Sequence, residues 1–291
     1  MDLRKEVNDF FTSRRARLTP ESAGLTVFGD NRRVKGLRRE EVATLAGVSV
    51  DYYTRIERGQ LRGVSDSVMS ALSRVLQLDD AEKKYLGNLL AQANSGNKAP
   101  SRPRATKVRP SVVRLLELID DVPAYVRDSN LTIVAANKLA QKFFALTFES
   151  QGPTPNVARF VYLDPRSQDF YGDWEKIATD TVGVLRAQAS KDPFDRGLSD
   201  LIGELCTRSE YFASKWASHN VYEHRTGSKV FNHPELGTTE LIYEGFEMPN
   251  DPGFVLVTYF AVAGSPADNS LKFLKIAQNE DRLQEEAAFE G

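Results

Sequence analysis

The chain has 291 residues, 41% hydrophobic and 10% aromatic, enough for sizeable cores and a length that fits about two domains at the usual ~100–200 residues each. The formal charge of −2 is unevenly divided: residues 1–110 hold 21 Lys and Arg against 13 Asp and Glu, and the remainder 17 against 27. A basic first part suggests a polyanionic partner. The single cysteine, Cys206, excludes an internal disulfide framework and any multi-cysteine metal site and fits a reducing compartment.

In chain order, LRKEVNDFFTSRRAR at 3–17 places Leu3, Val7, Phe10 and Phe11 on one face and predicts a first helix. A long connection from Thr19 to Gly36 follows, and its Arg32, Arg33 and Lys35 suit contact with a nucleic-acid backbone. From Arg39, Val42, Ala43 and Ala46 share one face of a short helix that Gly47 ends by taking the left-handed conformation. Val48 can plug the corner, Ser49 is a good N-cap, and Tyr53 with Ile56 gives a second helix its buried pair before Gly59 stops it. Two short helices joined by GVS are the helix-turn-helix arrangement, whose second helix enters the DNA major groove. The basic and exposed candidates are therefore Arg38, Arg39, Ser49, Val50, Asp51, Tyr52, Thr54 and Arg55. Arg55 suits a bidentate pair with guanine and Val50 a thymine methyl group. Arg38 and Arg39 sit where the helix dipole disfavours them, which a phosphate partner would explain. Glu57 is expected to pair with Arg14, Arg15 or Arg17 of the first helix.

SDSVMSALSRVLQL predicts a fourth helix capped by Ser65 or Ser67, with Val68, Leu72, Val75 and Leu76 inward. A fifth starts near Asp80 and contributes Tyr85, Leu86, Leu89 and Leu90. An all-α, five-helix domain over 1–95 results, followed by a basic linker at 96–110 rich in Pro, Gly and Ser. A second, α+β domain spans 111–270. In it PAYVRDSNLTIVAANKLA alternates as a hairpin running into a helix, and Trp174, Ile177, Val182 and Leu185 keep to one side of another helix. Three strands are predicted around Lys229–Asn232, Glu240–Glu247 and Phe254–Ala263, with HPELG and PNDPG as turns. The last strand lies in the longest apolar run, too short at 254–264 to span a bilayer as a helix. A C-terminal tail at 271–291 is expected to be partly helical.

The segments RRARLTPES, GLRREEVATLAGVSVDYYTRIERG and FVYLDPRSQDFYGDWEKIA resemble MmyB-like regulators of the Xre helix-turn-helix class, a likeness that continues through LIGELCTRSEYFASKWASHNV and FNHPELG. The resemblance implies a bacterial transcriptional regulator that forms a homodimer, binds double-stranded DNA and carries a PAS-like small-molecule sensor. Asn220 stands after His219 where the resemblance leads one to expect aspartate. Buried aromatics serve first as core, and Phe143, Phe144, Phe160, Trp174, Phe212, Trp216, Tyr243 and Tyr259 are expected to be so used. A cavity among them would favour a small apolar ligand such as a fatty acid, with Arg225 or His219 fixing its polar end. The alternative use of the second domain is dimerisation or binding of a protein partner.

Enzymatic chemistry finds little support. His219 and His224 are five residues apart, His233 is the only other histidine, and neither HExxH nor GxSxG occurs. No cofactor, metal or membrane association is expected, the amino-terminal MDLRKEVNDF lacks the apolar stretch of a secretory signal, and a cytoplasmic location follows.

Overall fold

The structure, a computed structural model, describes residues 2–25, 34, 36–95, 107–192, 194–217 and 226–289, the side chains of the last helix only to 278. The first helix, α1 (Leu3–Arg17), is capped by Asp2, whose carboxylate accepts from the Arg4 amide. Its apolar stripe of Val7, Phe10 and Phe11 is fully buried. It packs on α2 (Arg39–Ala46), α3 (Val50–Glu57), α4 (Asp66–Val75) and α5 (Asp80–Ser95) around Leu37, Val42, Tyr53, Ile56 and Leu72. Phe10 meets Tyr85 and Phe11 meets Tyr53 ring to ring, at 5.2 and 6.2 Å between centroids. Each buried aromatic of this kind contributes about 1.5–3 kcal/mol through the apolar surface it removes from water.

The turn between α2 and α3 follows from its residues. Gly47 has φ 70° and donates its amide to the carbonyls of Ala43 and Thr44, while Ser49 Oγ accepts from the Tyr52 amide at the start of α3. Gly59, at φ 85°, is more constrained, because a Cβ there would lie 2.6 Å from Arg4 Cα. Gly59→Ala is therefore expected to destabilise the helical domain by about 2–4 kcal/mol, adding overpacking to the left-handed penalty. Gly47→Ala, with nothing within 4 Å of the added atom, should cost only the left-handed penalty of about 1–2 kcal/mol. Urea denaturation followed by far-ultraviolet circular dichroism separates the two; equal losses would count against the close approach of Gly59 to α1.

The second domain begins with α6 (Pro110–Leu118) and the hairpin β1 (Ala124–Arg127) and β2 (Ile133–Ala136), which runs into α7 (Lys138–Phe143). Helices α8 (Ala145–Gln151), α9 (Val157–Leu163), α10 (Arg166–Phe170), α11 (Trp174–Lys191), α12 (Arg196–Arg208) and α13 (Glu210–Ala217) follow. Strands β3 (Thr226–His233), β4 (Gly237–Glu247) and β5 (Val255–Phe260) complete an antiparallel sheet of order β2-β1-β5-β4-β3, and α14 (Pro266–Phe289) ends the chain's described part. This is an α+β, PAS-like domain following an all-α helix-turn-helix domain.

The structure departs from expectation in three places. The alternating hairpin implied one covered sheet face, yet Ala124, Tyr125 and Val126 are all buried. Helix α6 explains this: Val112 and Leu116 cover Ala124, Val126 and Phe254 on one face, while Tyr125 and Val257 point to the larger aromatic core on the other. The expected boundary between 270 and 271 falls inside α14, whose Leu271 and Leu274 are buried in that aromatic core. The expected linker at 96–110 lies outside the described residues up to 106, and Pro110 already belongs to α6.

Candidate functional site

Recognition helix α3 owes its position to a buried carboxylate. Glu57, fully buried, accepts from Arg15 at 3.3 Å and pairs with Arg39 at 2.8 Å, with Thr12 Oγ1 at 3.4 Å. Burial pushes its carboxyl up, but the Arg39 and Arg15 guanidinium groups outweigh burial and hold it below its ordinary value of 4.5. The expected partner from α1 is thus Arg15. Arg14 and Arg17 instead meet Glu82 of α5. Arg39 gains a second role, since its guanidinium ties α2 to α3 while 45% of the side chain stays exposed.

The other DNA candidates lie on or beside α2 and α3 and differ in exposure. Arg38, Ser49, Val50, Asp51 and Arg55 are exposed, and Tyr52 and Thr54 are half-buried. Arg38 opens α2 with its amide bound to Glu41 Oε2 at 2.6 Å, so its side chain is not needed for the cap. Ser49 spends its hydroxyl as an acceptor on the cap of α3, and Arg55 Nε donates to Gln60 Oε1 at 3.0 Å. Arg58 and Arg62, just beyond α3, are also exposed; composition alone did not separate them from other surface arginines. The candidate contacts at Arg32, Arg33 and Lys35 lie outside the described residues.

In the second domain the aromatic candidates divide. Phe143, Phe144, Phe160 and Tyr259 lie in one core with Trp174 and Tyr243 at its margin, whereas Phe212 and Trp216 belong to a neighbouring cluster under α12. Phe143, Phe144 and Phe160 are enclosed ring against ring, so they build the wall of the domain. Trp174 Nε1 donates to the Val161 carbonyl at 3.0 Å, and its ring meets Tyr211 at 4.8 Å. Phe212 and Trp216 stack at 5.7 Å. His219 and Arg225 lie outside the described residues.

The sheet register reveals a group that sequence reasoning missed. Lys229 pairs across β3 and β4 with Leu241, and Gly227 with Tyr243, which in turn faces Tyr259 on β5. Directly opposed residues share a face, so Lys229 points to the aromatic core. Its Nζ lies 4.5 Å from the Tyr243 ring and 5.8 Å from that of Tyr259, whose hydroxyl is 3.3 Å from that of Tyr125. Burial pushes Lys229 down to about 8, with Asp180 of α11 acting in the other direction and Arg127 and Lys176 adding to the effect of burial. Beside Trp174, the Tyr211 hydroxyl is buried with no hydrogen-bond partner among the described residues. Alternation with buried Phe231 and His233 was the available signal for Lys229. Among the described residues no group of three metal-ligating side chains occurs, and no helix is long and apolar enough to cross a membrane.

A two-helix DNA-reading surface fixed by a buried carboxylate, joined to a sheet-and-helix domain with a cation in its aromatic interior, defines a helix-turn-helix regulator with a ligand-binding domain. Residues 12–86 match the model of a helix-turn-helix domain, and residues 108–274 match that of the MmyB-like transcription regulator ligand binding domain. The chain belongs to the MmyB-like transcription regulators. A search of curated proteins finds no match.

Proposed function

We propose that the protein is a cytoplasmic, sequence-specific transcriptional regulator of the Xre class whose DNA affinity responds to an amphipathic ligand with an apolar, acyl-like body and an anionic head. The observation that carries the ligand class is Lys229, an ammonium turned toward an aromatic interior, whose direct partners among the described residues are the faces of two tyrosines. Arg127 and Lys176 add positive charge around it, against the carboxylate of Asp180. A carboxylate there would exchange a weak ring contact for a charge-assisted hydrogen bond, and the surrounding phenylalanines and tyrosines suit an alkyl chain. A fatty acid has both parts. No catalytic step belongs to this reading.

Extraction of the natively purified, then denatured protein followed by mass spectrometry tests it. A stoichiometric fatty acid or similar amphiphile is expected, and a cationic or sugar-like compound would contradict the assignment of Lys229.

On the DNA side, a homodimer placing two copies of α3 one helical turn apart predicts a palindromic site. Exposed Leu118, Phe273 and Ile276 support a self-association surface around the Lys275–Asp121 ion pair. Arg55→Ala should weaken binding to a duplex selected from a random library by about 1–3 kcal/mol and leave binding to unrelated DNA nearly intact. Equal loss on both duplexes in an anisotropy titration would show that Arg55 contacts only phosphate.

A further inference from the structure

The two domains are joined by a buried polar contact as well as by the chain between them. Arg186, on α11 and 1% exposed, forms a salt bridge with Glu6 of α1, and Tyr85 of α5 donates its hydroxyl to the same carboxylate. The Arg186 guanidinium also lies 4.3 Å from the Trp216 ring centroid and donates to the Trp216 carbonyl at the end of α13. Two further bonds support the junction: Asn88 and Gln92 of α5 donate to Ser190 Oγ and to the Ser190 carbonyl. Beside this junction α1 and α13 stand apart, leaving a cleft of about 640 Å³ edged by Lys5, Asp9, Ser13 and Ala213.

We infer that Arg186 is a coupling residue, a latch through which α11 of the sensor domain holds α1 of the DNA-binding domain and passes on its position. This rests on the functional reading above only in what drives α11. The elements are continuous. Asp180, whose charge acts on Lys229, lies six residues before Arg186 on the same helix, or about 9 Å at 1.5 Å per residue. Glu6 receives Arg186, and over the next nine residues of α1 Asn8, Thr12 and Arg15 all bind Glu57, the last residue of recognition helix α3. A displacement of α11 therefore reaches the reading helix through two buried carboxylates and one rigid helix. Ala187 of the same helix is buried in the core of the first domain, so α11 meets that domain through apolar packing on one side of Arg186 and through the Glu6 carboxylate on the other.

A buried ion pair is weak evidence of added stability but sharply constrains geometry, because neither charge can be left alone in a water-excluded site. At Glu6 the geometry it constrains is the angle between the two domains.

The test uses the two tryptophans, Trp174 and Trp216, which are the only ones in the chain. The full-length protein labelled with 5-fluorotryptophan gives two fluorine resonances, assigned with Trp174→Phe and Trp216→Phe. Glu6→Gln, a change in the other domain, is expected to move the Trp216 resonance and leave that of Trp174 in place. Saturation with a duplex selected from a random library is expected to move the Trp216 resonance in the native chain, and Glu6→Gln to remove that response. Glu6→Asp, which keeps the charge but withdraws it by one methylene, should give an intermediate shift and covers the case in which Glu6→Gln does not fold. A Trp216 resonance that ignores both Glu6 variants and the duplex would overturn the latch. None of these readings needs the ligand, so failure to recover an amphiphile leaves the result intact.

Discussion

Replacing Glu57 with alanine is expected to destabilise the DNA-binding domain by about 3–5 kcal/mol, the range for removing one partner of a buried ion pair. The lower end applies, because Arg39 is 45% exposed and can be rehydrated, whereas Arg15 is only 14% exposed. The loss would be concentrated in the helix-turn-helix, since Glu57 joins α1, α2 and α3. Its pH dependence has a definite sign. The folded carboxyl titrates below its ordinary value of 4.5, so its contribution is fully present above pH 4.5 and is lost as pH falls through the lowered folded value. Urea midpoints of the full chain between pH 3 and 7 should fall less steeply toward acid in Glu57→Gln than in the native protein. An alanine variant within about 1 kcal/mol of native stability would show that the arginines do not need this acid.

Lys229→Met is expected to lower affinity for palmitate, a carboxylate of the proposed class, about 10–100-fold, corresponding to the ~1.5–3 kcal/mol of a hydrogen bond to a charged group. The fold should gain rather than lose. Folded Lys229 titrates at about 8 against an ordinary 10.5, so the native state holds this proton less tightly than the unfolded chain. The cost to stability is complete below pH 8 and disappears as pH rises toward 10.5. The same proton is needed to bind an anion, so native affinity should weaken about tenfold per pH unit above 8, while the methionine variant stays flat. Calorimetric titration with sodium palmitate at pH 7, 8 and 9 reads both effects. A pH-independent native affinity would place the ligand's head elsewhere.

The helix-turn-helix was legible because local rules agree there: a glycine at the turn, a serine cap and a short period of buried residues all select the same structure. Glu57 was foreseen as an acid facing α1, but its pairing with Arg39 depends on how α2 crosses α3, which periodicity does not encode. In the second domain the strands followed from their turns. Coverage of both sheet faces was not readable at β1, since a four-residue strand gives too little alternation to distinguish one buried face from two. The aromatic candidates illustrate a different limit. Sequence shows that Phe144 and Trp216 are bulky and apolar, while only tertiary packing sends one to the sheet and the other to the contact with α11. Lys229 was missed because a lysine in a strand ordinarily faces water, although its phase with Phe231 and His233 pointed inward.

In the proposed mechanism one molecule couples an amphiphile in the second domain to DNA read by α3. The direct measurement is the affinity of the full chain for its selected duplex, by fluorescence anisotropy, with and without the compound extracted from it. A coupling of about 5–150-fold, the usual allosteric range, is predicted. An unchanged affinity, with the compound bound stoichiometrically in both states of the DNA, would contradict it.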